Sequence, residues 1–116
     1  MKCILIDVKN KEVKEVILDK EKKTIKQWYE HIGCDMVETG TWIDETNSIM
    51  VDEEGLLKLK HDSMFFTYKG GHQPFCGNGL VVGCNNEGES VSTTLTVEYV
   101  KERVKFHTLE EVRRMG

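Results

Sequence analysis

No apolar run in the sequence approaches the roughly 18–20 residues that a membrane span requires. The apolar start, Met1-Lys2-Cys3-Ile4-Leu5-Ile6-Asp7, is too brief for a signal peptide, and no small-residue cleavage site follows it. Together these absences lead us to expect a cytoplasmic protein with no membrane partner. The four cysteines, Cys3, Cys34, Cys76 and Cys84, form no C-x-x-C pair, so the usual zinc-knuckle spacing is missing. In a reducing compartment their even number gives no reason to expect disulfides. No Gly-Lys-Ser/Thr closes a P-loop, and no G-x-G-x-x-G opens a helix. Proline occurs once, at Pro74, and no linker, repeat or low-complexity stretch divides the chain. A single globular domain over residues 1–116 is therefore expected.

Basic clusters are missing too. The net charge is −4, and its distribution is uneven. Residues 1–33 carry eight lysines and six acids, a sum of +2, whereas residues 34–64 carry two lysines and eight acids, a sum of −6. Residues 65–91 sum to −1 and residues 92–116 to +1. That profile excludes duplex nucleic acid as a partner. With 39% apolar and 31% charged residues, the chain has enough for a thin core under a well-solvated surface.

The pattern that is present predicts an α+β domain: an antiparallel or mixed sheet with an N-terminal β-hairpin and two or three packed helices. Residues 2–8 and 11–18 read as strands joined by a turn at Asn10. Ile25, Trp28, Tyr29 and Ile32 share one helical face, with Thr24 as N-cap and Gly33 as the stop. Residues 34–43 read as extended, with Met36 and Trp42 turned inward. Residues 48–52 form a strand, and Gly55 supplies a positive φ to the turn after it. Leu56, Leu57 and Leu59 then pack back onto the core. Strands follow at 64–68 and 79–84, a turn at 85–90, and helical spacing at Leu95, Tyr99 and Val100. Thr108-Leu109-Glu110-Glu111 is a capping box for a last helix.

The most informative segment is the glycine-rich stretch from Tyr68 to Asn78. Gly70, Gly71 and Gly77 let backbone approach a ligand and turn N–H groups toward an anion. Lys69, His72, Gln73 and Asn78 add polar side chains, while Tyr68 and Phe75 add stacking faces. This combination suits a small anionic, nucleotide-like ligand. The same glycines also suit a plain connection between two strands. His72 and Cys76 are a nucleophile–base candidate pair without an orienting third residue. His72, Cys76 and Cys84 lack paired metal-ligand spacing. Asp52-Glu53-Glu54 is a polar turn. No catalytic residue, metal ligand or cofactor is therefore assigned. Trp42, set among acids and threonines, becomes a recognition residue if it is exposed.

The N-terminal strand pair, the helix ending at Gly33, the strand leading into Asp52-Glu53-Glu54-Gly55-Leu56, and Gly77-Asn78-Gly79-Leu80-Val81-Val82-Gly83 together resemble a small family of unknown function. That family is found in phages, plasmids and Firmicute mobile elements, and the resemblance covers roughly residues 2–112. It implies a genomic setting, in the cytoplasm of a bacterial host, in which small proteins often counter host defence. The expected function is non-enzymatic sequestration of a cyclic or ADP-ribose-type nucleotide signal. The alternative is inhibition of a host defence or nucleic-acid-processing protein through the acidic segment around Trp42. Forming a homo-oligomer is one way for so small a domain to enclose a ligand.

Overall fold

The computed structural model describes residues 1–71 and 73–115. Its elements run β1 (Lys2–Asp7), β2 (Glu12–Ile17), α1 (Thr24–Ile32), β3 (Val37–Trp42), β4 (Asn47–Asp52), a 3-10 turn (Gly55–Lys58), β5 (Met64–Tyr68), β6 (Phe75–Cys76), β7 (Gly79–Cys84), β8 (Ser90–Val91), α2 (Val97–Lys101), β9 (Val104–Thr108) and α3 (Leu109–Met115). The larger sheet has strand order β2-β1-β7-β4-β3, with β8 added to β7; the smaller has order β6-β5-β9. Every pairing is antiparallel, beginning with the predicted β1–β2 hairpin. The expected α+β class with three helices is what the chain forms.

The central strands dictate the layering. Cys3 to Asp7 of β1 and Gly79 to Gly83 of β7 are buried without interruption. A strand buried at every position needs cover on both faces. On one face Ile4, Ile6, Val13, Ile49, Val51 and Val81 meet Phe66 and Tyr68 of the smaller sheet. On the other, Cys3, Leu5, Leu80 and Val82 meet Ile32, Trp28 and Tyr29 of α1. Cys3 and Cys34 sit in this second layer as free thiols, and burial pushes Cys3 up to about 11.

Details differ from the sequence expectations for physical reasons. α1 begins at Thr24 with Lys23 at the cap and no side-chain cap hydrogen bond. Gln27 reaches back instead, accepting from the Asp19 N–H at 2.7 Å and donating to the Asp19 carbonyl at 2.9 Å. Gly33 ends the helix as expected, with φ +80° and its N–H on the Tyr29 carbonyl at 2.7 Å. Gly55 does not adopt positive φ. It is glycine because a Cβ there would lie 2.8 Å from the Cys76 carbonyl oxygen. Leu56, Leu57 and Leu59 are exposed rather than packed, because the 3-10 turn carries them on the surface. Met36 and Trp42 also point outward. A strand stands at 104–108 where none was expected; its Val104, Lys105, Phe106 and His107 alternate as a half-buried strand should. The capping box forms as read, Thr108 and Glu111 bonding each other's N–H at 3.2 and 3.0 Å.

Asn47, fully buried at the start of β4, locks the far end of the sheet. Its amide nitrogen donates to both Asp44 oxygens at 3.1 Å and to Thr94 Oγ1 at 2.9 Å. Its oxygen accepts from Thr93 Oγ1 at 2.6 Å and from the Thr94 N–H at 3.3 Å. Asn47→Ala should cost about 2–4 kcal/mol, because the buried Thr93 hydroxyl and the amide's other partners are left unsatisfied. A urea midpoint lowered at constant m-value checks this. Burial pushes the Asp44 carboxyl up, but the hydrogen bonds from Thr46 and Asn47 outweigh it and hold it below its ordinary 3.8. A depressed folded-state value gives stability that is complete above the unfolded value and lost as pH falls through the folded one. Urea midpoints measured from pH 5 downward should therefore decline less steeply for Asp44→Asn than for the wild type. Parallel slopes would show that Asp44 does not contribute.

Candidate functional site

The glycine-rich stretch does not act as one unit. The Lys69 N–H donates to the Arg103 carbonyl at 2.9 Å, the Gly71 N–H to the Tyr68 carbonyl at 2.9 Å and the Gly77 N–H to the Met64 carbonyl at 3.0 Å. Three of its amides are therefore engaged within the fold rather than turned toward solvent. Gly70 and Gly77 have φ of +91° and +92°, which a side chain would strain, so both serve turn geometry. Asn78 is a clamp: its oxygen accepts from the Val8 N–H at 3.0 Å, and its amide nitrogen donates to the His31 carbonyl at 3.2 Å. It thereby ties β1 and the end of α1 to the start of β7. The Phe75 ring packs against Phe66 with centroids 5.3 Å apart, in the core between the sheets. His72 lies outside the described residues.

Two hollows share what remains. Gln73, Pro74, Phe75 and Cys76 line a small groove of about 160 Å³ with Glu38, Asp52 and Glu53. Asp52 is engaged there by Lys58 at 3.0 Å. Burial raises the Cys76 thiol above its ordinary value, opposite to what a thiolate nucleophile needs. Among the described residues, no group of His, Cys, Asp and Glu is placed to hold a metal ion.

Tyr68, Lys69 and Gly71 line the larger hollow, a cleft of about 780 Å³. The outer side of the smaller sheet contributes Thr67, Lys105 and His107, with Thr67 Oγ1 2.9 Å from His107 Nε2. α3 contributes Glu111, Arg114 and Met115, and the turn after α2 contributes Glu102 and Arg103. Four permanent cations thus meet two carboxylates in a chain of net charge −4. Arg103 is fixed in place: its guanidinium carbon lies 3.5 Å from the Tyr99 ring centroid, and Nη1 donates to the Tyr99 carbonyl at 2.9 Å. Arg114 pairs with Glu110 along α3. Hydrogen bonds from the Thr108 N–H and hydroxyl hold Glu111 below the usual carboxylate range. Lys69 and Lys105 form no ion pair among the described residues. The Tyr68 hydroxyl is buried without a partner, and burial, with Tyr99 nearby, pushes it up to about 12.

Sequence reasoning named Tyr68, Lys69 and Gly71 but missed Thr67, Arg103, Lys105, His107 and Arg114. The available signal was the alternation of residues 104–108, which places Lys105 and His107 on one side of a strand. Summing residues 92–116 to +1 concealed it, because the acids of that segment do not all face the cleft.

No helix among the described residues is long and apolar enough to cross a membrane. No curated protein and no solved structure matches the chain. Residues 1–105 match a family model that spans the larger sheet and most of the smaller one, up to the middle of β9. The chain belongs to the family described as a domain of unknown function (DUF3846).

Proposed function

We propose that this protein binds a small anionic, nucleotide-type ligand in the cleft between the outer side of the smaller sheet and α3. The observation that carries this reading is the concentration of Lys69, Arg103, Lys105 and Arg114 around a cleft of about 780 Å³ in an acidic protein. That volume lies in the range of small-molecule sites, and a nucleotide needs both cations and hydrogen-bonding groups. Lys69 and Lys105 would neutralise phosphate charge. Arg103, held flat on Tyr99, presents a planar donor without further ordering cost. Thr67 and His107 offer hydroxyl and imidazole groups to a sugar.

A cyclic or ADP-ribose-type nucleotide is the ligand class we favour, and the role we propose is sequestration of such a signal without turnover. Placement in a phage or mobile element, as a counter to host defence, follows from the family resemblance and is part of the same proposal.

A ligand that binds only the folded state at a hundredfold excess over Kd stabilises it by roughly 2.7 kcal/mol. For a domain of this size that is a rise of several degrees or more in Tm. Thermal-shift measurements against cyclic dinucleotides, cyclic trinucleotides and cyclic ADP-ribose isomers should give such a rise with one of them. Lys69→Glu and Lys105→Glu, both at exposed positions, should each abolish that rise while leaving the ligand-free Tm within about a degree. A flat response across the panel, or a rise that survives both reversals, would overturn the proposal.

A further inference from the structure

We propose that the bare half of the larger sheet is the interface of a symmetric dimer, covered by α1 of a second copy of this chain.

α1 has nine residues, so it is about 13 Å long and about 10 Å across. The five strands from β2 to β3 span about 19 Å between outer strand axes. One short helix cannot cover that width. Its buried contacts fall on β1, β7 and β2, through Cys3, Leu5, Leu80, Val82 and Val16. The β4–β3 half of the same face is left with Trp42, 55% exposed, and the half-buried Met50. The cross-strand pairs Trp42–Ser48 and Thr39–Met50, with Met50 beside Leu80, place this patch on the α1 side of the sheet. Met36, 48% exposed, leads into it.

The occupant is identified by charge. The bare half is rimmed by the exposed carboxylates of Asp35, Asp44, Glu45 and Glu53, within the segment that sums to −6. α1 and its lead-in expose Lys22, Lys23 and Lys26 around Ile25, itself 46% exposed, in the segment that sums to +2. The chain therefore presents an apolar residue ringed by lysines beside an apolar patch ringed by carboxylates. Both lie on one face of one sheet. A two-fold axis between them seats each copy's helix on the other's bare half, and the assembly closes at two. Trp42 is the anchor, the kind of residue that dominates an interface when desolvated.

Sedimentation equilibrium of the full chain tests this. The expected result is a monomer–dimer equilibrium that weakens with added salt. Trp42→Glu should raise its Kd by roughly tenfold or more. Circular dichroism of the same variant should show an unchanged fold. A Lys22→Glu/Lys26→Glu variant and an Asp35→Lys/Glu45→Lys variant should each fail to self-associate, yet form a heterodimer when mixed. A chain that stays monomeric at millimolar concentration overturns the proposal and leaves the Trp42 face to a basic foreign protein. A dimer indifferent to Trp42→Glu, or swapped variants that do not pair, overturns it equally.

Discussion

Burial of β1 and β7 on both faces is the constraint from which the rest of the structure follows. Ile4, Ile6 and Val81 need one apolar cover and Cys3, Leu5, Leu80 and Val82 need another. The smaller sheet and α1 supply them. At roughly 25 cal/mol per Å² of apolar surface, covering two central strands twice is the largest stabilising term available to a chain this size. It also determines where function has room. The smaller sheet commits Phe66 and Tyr68 to the shared core, so its other side, bearing Thr67, Lys105 and His107, is free to wall a cleft. α1 commits its one apolar face to β1 and β7, so β3 and β4 stay partly bare.

Two asparagines hold this arrangement from opposite ends. Asn47 joins the β3–β4 connection to Thr93 and Thr94, and Asn78 joins β1 and α1 to β7. Each uses both ends of its amide, which a carboxylate, having only acceptors, could not do. A residue that satisfies two donors and two acceptors at a junction is a structural solution. Asn78 therefore has no free polar atom pointing toward a ligand in the loop that it follows. Phe75 is committed in the same way, to Phe66.

Periodicity made the fold legible where burial was one-sided or total. The β1–β2 hairpin, α1 with its glycine stop, β5, β7 and the final capping box all follow from local pattern, and each stands where that pattern put it. What stayed hidden depended on distant partners. Gly55 is fixed by the carbonyl of Cys76, which no local rule identifies. Trp42 and Met36 look like core by composition, but α1 is too short to reach them. The site was half legible for the same reason. The Lys69 side of the cleft was found from its glycines, while Lys105, His107 and Arg114 join it only because β9 pairs with β5 and α3 folds back beside them. Charge summed along the sequence cannot report a cluster assembled across a strand pairing.

The chemistry that this structure makes available is electrostatic and positional. Lys69 and Lys105 are cations without carboxylate partners among the described residues, and Arg103 is held rigidly by Tyr99. Titration of the isotope-labelled protein with a cyclic dinucleotide, followed by backbone amide NMR, tests the cleft most directly. Binding there should move amides of residues 67–71, 103–107 and 111–115 and leave those of residues 38–40 and 51–57 in place. Perturbation centred on residues 38–57 and 73–76, or none in either region, would contradict it.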